Sequence, residues 1–304
     1  MDRIITLFLM AVVVLTAASC RTDVTTPPGT QTVDREGNPI TLPQKINRII
    51  SLGPSNTEIL VDLGFAGKIV ASDTYSRGID GLASDIPFFN MMAPDGEQII
   101  QLEPDVIFVT GMSKGGGIDP FKVVSDVGIC VLYIPSSSGI ADIKADIKLI
   151  ATVMGVVEKG EKIVAVMEKT MDATATIGKT IRDKKRVYFE ISAESYSLYS
   201  FGSGVYLNEM LEIIGAENIF ADRKQWMVVA EEAILDRNPD VILTNANAFD
   251  KPVEVIMARP GWGALTAVQN GDVYSIDTDS SSRPSHRIVK ALQEMAKAVY
   301  PDKY

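Results

Sequence analysis

Cysteine and histidine are scarce in this chain, which contains two cysteines, Cys20 and Cys130, and one histidine, His286. If Cys20 is modified, no disulfide framework can form, and the apolar neighbours of Cys130 predict a buried, unreactive thiol. Proteins that bind bare zinc or manganese usually gather several histidines with carboxylates. The single histidine argues against such a metal site, and also against a histidine-based catalytic centre unless His286 is the base.

Basic runs are also missing. The 304 residues include 29 lysines and arginines against 39 aspartates and glutamates, and the formal net charge is −10. Without a basic patch, nucleic acid is not an expected partner. The acidic balance promotes solubility and suits a partner with a basic docking surface.

Common catalytic motifs are absent from the sequence. The segment Gly202-Ser203-Gly204 lacks the G-x-S-x-G pattern of a nucleophile elbow. No H-E-x-x-H motif, phosphate-binding loop or G-x-G-x-x-G fingerprint occurs either. We therefore expect a non-catalytic protein. A secreted hydrolase that uses His286 with one of the many serines is the alternative.

The first 19 residues have the organisation of a secretory signal. Arg3 precedes an apolar run from Ile4 to Ala18, and small residues come directly before Cys20. The run is short for a membrane span, and polar sequence follows it at once. A cysteine at this position resembles a bacterial lipobox and predicts a lipidated tether over residues 20–31. The alternative is an ordinary signal peptide in which Cys20 is incidental.

From Arg48 onward, short β-rich runs alternate with helical segments. Continuous apolar runs bounded by Gly, Pro or Asp are typical of buried parallel strands. The alternation predicts an α/β fold with mainly parallel sheets, preceded by a hairpin over Thr32–Leu42. The predicted strands are Ile49–Gly53, Ile69–Ser72, Val106–Thr110, Cys130–Ile134, Val187–Ile191, Val241–Thr244 and Val273–Ile276.

One motif occurs in each half of the chain. Residues 97–107 read EQIIQLEPDVI and residues 232–242 read EAILDRNPDVI, with the same spacing of seven from Glu to Pro. Both copies predict a short helix that leads through Pro-Asp into a strand. The initial glutamates of the two copies are Glu97 and Glu232.

A second motif precedes the first in each half. Residues 51–64 and 200–215 both run from a strand end through Gly and Ser into a helix closed by Gly. Glu58 and Glu209 each lie six residues before that glycine. Because the two motifs keep the same order, we expect two similar lobes, over residues 32–140 and 186–304.

Residues 141–185 form the predicted helical segment between the lobes. Apolar residues at helical spacing run from Glu158 to Lys184, without Gly or Pro from Glu161 to Ile177. A helix of about 25 residues would be about 37 Å long and could bridge two lobes. The alternative is two shorter helices with a break at Gly178.

These motifs and their order resemble the class III substrate-binding proteins of ABC importers, the receptors for vitamin B12, ferric siderophores and haem. The resemblance covers about residues 32–301. The stretches that carry it are Arg48–Leu52 with Glu58, Glu97–Ile107, Gly215–Phe220, Glu232–Ile242 and Arg283–Ile288.

The family resemblance implies two α/β lobes with mainly parallel sheets, joined by one long interdomain helix, and a ligand in the cleft between them. It implies an exported, lipid-anchored monomer without an intrinsic cofactor. The protein would capture an iron chelate (siderophore or haem) or cobalamin and deliver it to an ABC permease dimer with its ATPase subunits. Thr110 departs from the vitamin B12 receptor, which has an aromatic residue there, and this weakens the corrinoid hypothesis.

Loops at the carboxyl ends of the predicted strands are rich in Ser, Gly, Asn, Tyr and Arg, and the ligands of open parallel sheets lie at such ends. Aromatic faces suit a flat macrocycle, and an arginine can pair with a carboxylate or propionate. The alternatives are surface residues, packing under a loop, or helix capping. The predicted ligand-binding residues are Tyr75, Arg77, Tyr199, Trp226, Ser281, Ser282 and Arg283.

The resemblance also implies that Glu97 and Glu232 face the membrane and pair with arginines of the permease. The alternative role is to stabilise the helix N-termini, where a carboxylate contributes about 0.3–1 kcal/mol. For the other matched pair, Glu58 and Glu209, we expect positions on helix surfaces.

Overall fold

The computed structural model describes residues 31–114, 119–194, 197–248 and 250–304. The predicted signal peptide, Cys20 and almost all of the tether lie outside the described residues. Within the described ranges, no helix has both the length and the hydrophobicity needed to cross a bilayer.

The N-terminal lobe is built on a parallel five-stranded sheet in the order β5-β4-β3-β6-β7. Its strands are β3 (Ile49–Leu52), β4 (Ile69–Asp73), β5 (Phe88–Phe89), β6 (Val106–Thr110) and β7 (Cys130–Ile134). An antiparallel hairpin of β1 (Gln31–Val33) and β2 (Pro39–Thr41) precedes the sheet. The helices of this part are α1 (Pro54–Leu60), α2 (Gly96–Gln101), α3 (Lys122–Asp126) and α4 (Ile140–Val153).

The C-terminal lobe contains a parallel four-stranded sheet in the order β11-β8-β13-β14 and an antiparallel three-stranded sheet in the order β12-β10-β9. The strands are β8 (Arg186–Glu190), β9 (Ser192–Glu194), β10 (Ser197–Phe201), β11 (Glu217–Asn218), β12 (Trp226–Val229), β13 (Val241–Thr244) and β14 (Val273–Ser275). The helices are α6 (Tyr206–Ile213), α7 (Glu231–Arg237), α8 (Pro252–Met257), α9 (Thr266–Asn270), α10 (Thr278–Ser282) and α11 (Ile288–Val299).

A single helix, α5 (Val157–Gly178), connects the lobes. Near its start, Lys159 Nζ donates to the Leu63 carbonyl of the N-terminal lobe at 3.1 Å. Its 22 residues span about 33 Å. The prediction of one long connecting helix is confirmed, but the predicted end near Lys184 is wrong. The helix ends at Gly178, which packs so closely on the backbone of the C-terminal lobe that a Cβ there would lie 2.2 Å from the Ile213 carbonyl oxygen.

One hydrophobic core runs through both lobes and the connecting helix. It includes Ile49 and Phe108 of the N-terminal lobe, Met167 of α5, and Phe189 and Leu292 of the C-terminal lobe. Separate clusters cover the other faces of the sheets. The central parallel strands β3, β6, β7, β8 and β13 are therefore almost wholly buried, as their continuous apolar runs predict.

The antiparallel sheet of the C-terminal lobe was not expected, since no strand was predicted between Ile191 and Val241. Instead, β9 and β10 form a hairpin, and β10 pairs with β12. The two copies of the motif at residues 51–64 and 200–215 therefore follow strands of different kinds of sheet. In the N-terminal lobe, α1 follows β3 of the parallel sheet, whereas α6 follows β10 of the antiparallel sheet.

Cys130, at the start of β7, is half-buried. Burial raises the pKa of its thiol to about 11. The thiol is therefore protonated at neutral pH, and a protonated thiol is a poor nucleophile.

Candidate functional site

A cavity of about 730 Å³ lies between the two lobes. Its volume falls within the range of small-molecule sites. Loops at the carboxyl ends of β3, β6, β7 and β13 contribute to its walls, as open parallel sheets predict. Six of the seven predicted ligand-binding residues line it: Tyr75, Tyr199, Trp226, Ser281, Ser282 and Arg283.

Aromatic side chains form one wall. The rings of Tyr199 and Trp226 are nearly parallel, with an interplanar angle of 8° and centroids 6.5 Å apart. Phe201 and Tyr206 hold the indole edge-on, with centroids 5.7 and 6.1 Å away. Tyr199 and Trp226 lie on the paired strands β10 and β12 rather than in loops, so the sheet fixes a flat apolar wall.

Methionines line the N-terminal lobe's side of the cavity. Met91 and Met92 follow β5, and Met112 follows β6. The side chains of Met92 and Met112 are each 49% exposed. A flexible thioether adapts to the shape of an apolar ligand. Our sequence prediction missed these residues. The position of Met112, soon after the predicted strand Val106–Thr110, could have indicated it, whereas the strand that precedes Met91 and Met92 was not predicted.

A cluster of three polar residues of the C-terminal lobe, Asn245, Ser281 and Ser282, also lines the cavity. The Asn245 amide nitrogen donates to the hydroxyls of Ser281 and Ser282, both at 3.0 Å. Asn245 follows β13, and the serines end α10. The N-cap of α10 is Asp277, which accepts from the Ser280 backbone N–H at 2.8 Å. This cap holds the serines at the cavity.

Arg283 is committed to contacts within the protein. Its guanidinium donates to Glu58 at 3.1 Å and to the Tyr75 carbonyl at 2.9 Å, and it pairs with Asp279 at 2.9 Å. Glu58 also accepts from the Ser285 hydroxyl. The expected surface position of Glu58 is therefore wrong: its side chain is buried because it binds two groups of the other lobe.

Glu209 also contacts the opposite lobe. Its Oε2 accepts from the Ile140 backbone N–H at 3.2 Å, at the start of α4. A carboxylate at a helix N-terminus stabilises that helix electrostatically. Glu58 of the N-terminal lobe thus contacts the C-terminal lobe, and its matched residue Glu209 of the C-terminal lobe contacts the start of α4.

Tyr75 and Arg77 separate in the structure, although they are close in sequence. Tyr75 is 59% exposed at the cavity, and its hydroxyl has no partner among the described residues. Arg77 lies over the Phe88 ring, 4.2 Å from its centroid. It lines a separate depression of about 320 Å³ and is not part of the cavity wall.

A carboxylate that the sequence did not indicate borders the cavity. Asp146 on α4 pairs with Arg35 of the hairpin at 2.5 Å and accepts from the Ser137 hydroxyl at 2.9 Å. Burial raises the pKa of the Asp146 carboxyl, while the bonds from Arg35 and Ser137 oppose that rise. Arg35 also reaches Asp142 at 3.0 Å, which fixes the hairpin against α4.

The two predicted docking residues are on the surface. Glu97 and Glu232 are exposed, and neither carboxylate has a hydrogen-bond partner within the described part of the chain. The side-chain cap of α2 is Asp95, which accepts from the Glu97 and Gln98 backbone N–H groups. At α7, it is Glu231 that is engaged, accepting from Trp262 Nε1 at 2.6 Å. Hydrogen-bonded capping is therefore not the role of Glu97 or Glu232.

His286 lies outside the cavity wall. Its Nε2 is 2.5 Å from Asp62 Oδ2, and Arg287 pairs with the same carboxylate at 3.1 Å. Among the described residues, no serine is hydrogen-bonded to His286, and its buried Nδ1 has no partner. The alternative of a hydrolase that uses His286 is not supported, because the histidine binds an aspartate between the lobes and no nucleophile.

Two α/β lobes around a ligand-sized cleft, joined by one helix, define a class of cleft-type binding proteins. The model of the family described as "Periplasmic binding protein" matches residues 49–280. This chain belongs to the periplasmic binding protein family, and both the predicted family and the predicted fold class are confirmed.

Related proteins agree with this assignment. The "uncharacterized ABC transporter substrate-binding lipoprotein YvrC" of Bacillus subtilis (strain 168) is 31% identical over 276 residues, covering 89% of this chain and 85% of that protein. The vitamin B12-binding protein of Salmonella typhi is 26% identical over 256 residues, covering 83% and 90%. A crystal structure of a possible iron-binding (periplasmic solute-binding) protein from Staphylococcus epidermidis ATCC 12228 is similar, with a TM-score of 0.73 and 29% identity, covering 84% and 99%.

Proposed function

We propose that this chain captures an iron chelate (a siderophore or haem) or cobalamin in the interlobe cleft and delivers it to an ABC permease dimer with its ATPase subunits. The observation that carries the proposal is the cavity of about 730 Å³, which both lobes enclose. The aromatic wall and the methionine wall provide apolar faces for a bulky chelate. Relatives named for vitamin B12 binding and iron binding support this ligand range.

Several cavity residues then have a role in holding the chelate. Tyr199 and Trp226 present their ring faces, Ser282 provides a hydroxyl, and the buried Ser281 positions Asn245. The free Tyr75 hydroxyl is suited to contact the ligand or its metal. Arg77 would take part only after leaving the Phe88 ring. We assign no chemical step to the protein, and it needs no cofactor besides its cargo.

Export and anchoring complete the proposal. Residues 1–19 would direct export, and a lipid on Cys20 would hold the mature monomer at the membrane through the polar tether. The name of the Bacillus subtilis relative, a substrate-binding lipoprotein, supports this arrangement. Glu97 and Glu232, both exposed and unpaired within the described residues, would meet basic residues of the permease.

The test is calorimetry of the purified protein with haem, a corrinoid and ferric siderophores, together with the visible spectrum of protein isolated from its own cells. We expect one ligand per chain and a rise in melting temperature with ligand concentration. Failure of all three ligand classes to bind would contradict the proposed cargo.

A further inference from the structure

The charges around the cavity are unevenly distributed. Among the described residues that line it, Asp146 and Asp279 are acidic, and Arg283 is the one cation. Arg283 is already bound to Glu58, to Asp279 and to the Tyr75 carbonyl. No uncommitted cation of the described wall is therefore available to a negatively charged ligand.

This distribution penalises anionic ligands. A carboxylate that leaves water without a paired cation or several hydrogen bonds is strongly destabilised. In this cavity it would also have to compete with the carboxylates of Asp146 and Asp279 for the arginines that they already bind, Arg35 and Arg283. An uncharged or cationic ligand avoids both costs.

The cavity wall also contains an unsatisfied acceptor. Asn245 is 3% exposed, and its Oδ1 has no hydrogen-bond partner among the described residues. A buried polar atom without a partner costs roughly 1–3 kcal/mol, so native structures rarely leave one unused. A donor on a bound ligand would satisfy it.

The hydrogen bonds of Ser281 settle which end of the Asn245 amide is free. Ser281 has one hydroxyl hydrogen, and it donates this hydrogen to the Asp277 carbonyl at 2.6 Å. Towards Asn245, Ser281 can therefore only accept, so the amide nitrogen must face the serine. The amide oxygen is left as the unpaired atom.

We propose that the cleft selects an uncharged or cationic metal chelate with hydrogen-bond donors at its edge, and that Asn245 Oδ1 accepts from one of them. The inference rests on the proposed function and narrows it. Chelates rimmed with primary amides fit this wall. Chelates rimmed with carboxylates, or with a net negative charge, do not.

A panel of four chelates tests the charge preference in the full-length protein purified in detergent. Cyanocobalamin and ferrichrome are uncharged, whereas haemin and ferric enterobactin are anionic. We expect at least one uncharged chelate to bind ten times more tightly than either anion. An anion that binds as tightly as both uncharged chelates would overturn the inference and leave the proposed function intact. Failure of all four to bind would instead overturn the proposed function.

The Asn245→Leu variant tests the acceptor. We expect its affinity for a corrinoid with amide side chains, dicyanocobinamide, to fall about tenfold, the effect of losing one buried hydrogen bond. For the corresponding corrinoid heptamethyl ester, which lacks amide donors, wild type and variant should bind alike. A purely structural role of Asn245 would weaken both ligands equally and would overturn the assignment.

Two further variants serve as controls for loss of folding. Asn270→Leu is the matched control, because Asn270 is exposed at the end of α9 and away from the cavity. It should bind both corrinoids like the wild type. If Asn245→Leu fails to fold, Asn245→Ala replaces it, since it removes the same amide without adding a branched side chain. Unchanged amide-corrinoid affinity in a folded Asn245→Leu or Asn245→Ala protein would count against the proposal.

Discussion

Glu58 and Arg283 form an ion pair between the two lobes, with Glu58 Oε1 and Arg283 Nη1 3.1 Å apart, although 225 residues separate them in sequence. The side chains are 2% and 12% exposed. A second ion pair joins Asp62 and Arg287. The two pairs connect the end of α1 and the residues just after it, in the N-terminal lobe, to residues 283–287, which precede α11 in the C-terminal lobe. The lobes are thus connected by side chains as well as by α5.

Glu58→Gln should destabilise the protein, because Arg283 and Arg287 lose their buried counter-charge. Removing one partner of a buried pair typically costs about 3–5 kcal/mol. The matched control is Glu168→Gln, which breaks an exposed pair with Lys144 and should change the stability much less. Urea unfolding of the variants measures both changes. Equal stability of the two would show that the interlobe pair contributes little.

The double variant Glu97→Ala/Glu232→Ala should retain its fold and ligand affinity but lose most of its stimulation of the transporter's ATPase. Both carboxylates are exposed, so their removal costs little stability, and charge pairs at an interface mainly set orientation and association rate. Added salt should also reduce the ATPase stimulation by the wild-type protein, because salt screens charge pairs at the interface.

The matched control for docking is Glu158→Ala/Glu161→Ala, which removes the same charge from exposed positions of α5. It should stimulate the ATPase like the wild type. Full transport by the Glu97→Ala/Glu232→Ala variant, with normal ligand binding, would contradict the docking role.

Ligand binding should change the radius of gyration only slightly. A continuous helix and a shared core resist wide hinge bending, which elsewhere depends on a few flexible connecting residues. Small-angle scattering with and without ligand measures the change. A large compaction on binding would indicate a hinge and contradict the stiff connection.

Asp277→Asn should reduce stability at neutral pH but have little effect in strong acid. Burial alone would raise the pKa of Asp277, but hydrogen bonds from Lys290 and Ser280 outweigh it and lower the pKa to about 2. The carboxylate therefore stabilises the fold above the pKa of the unfolded chain, and this contribution is lost as the pH falls towards the folded pKa. Because the group is partly exposed, we expect about 1 kcal/mol at pH 7.

Urea unfolding at neutral and acidic pH checks this prediction. Asp126→Asn is the control, since Asp126 forms an exposed pair with Lys122 within one helix. It should change stability by a few tenths of a kcal/mol. If Asp277→Asn destabilises the protein equally at both pH values, ionisation of Asp277 is not the cause.

Apolar runs and repeated motifs were sufficient to predict most of the fold. The seven predicted strands are all present, and most of them were recognisable because a strand buried on both faces is largely apolar. The hairpin of β9 and β10 was missed because its strands are short and mix serine with apolar residues, a pattern that loops share. The end of α5 at Gly178 was missed because the close packing of this residue on the backbone near Ile213 is not local in sequence.

Part of the candidate ligand-binding site could also be predicted from the sequence, because the order of strands and loops determines which residues reach the cavity. Residues that closely follow strands, such as Tyr75 after β4 and Asn245 after β13, lie at the cavity because sheet geometry places them there. Arg77 has the same sequence context, but the Phe88 ring holds its guanidinium elsewhere. The burial of Glu58 depends on Arg283 from the opposite end of the chain, and local pattern carries no information about that pairing.

The hydrophobic core that passes from the N-terminal lobe through Met167 into the C-terminal lobe makes the receptor one cooperative unit. Calorimetric melting should therefore show a single transition for the intact chain. A lobe expressed alone would leave the apolar face of α5 in water, and a chimera with a relative's lobe would have to repack that face. Exchange of cargo specificity between relatives is consequently easier by substituting cavity residues than by transplanting a lobe.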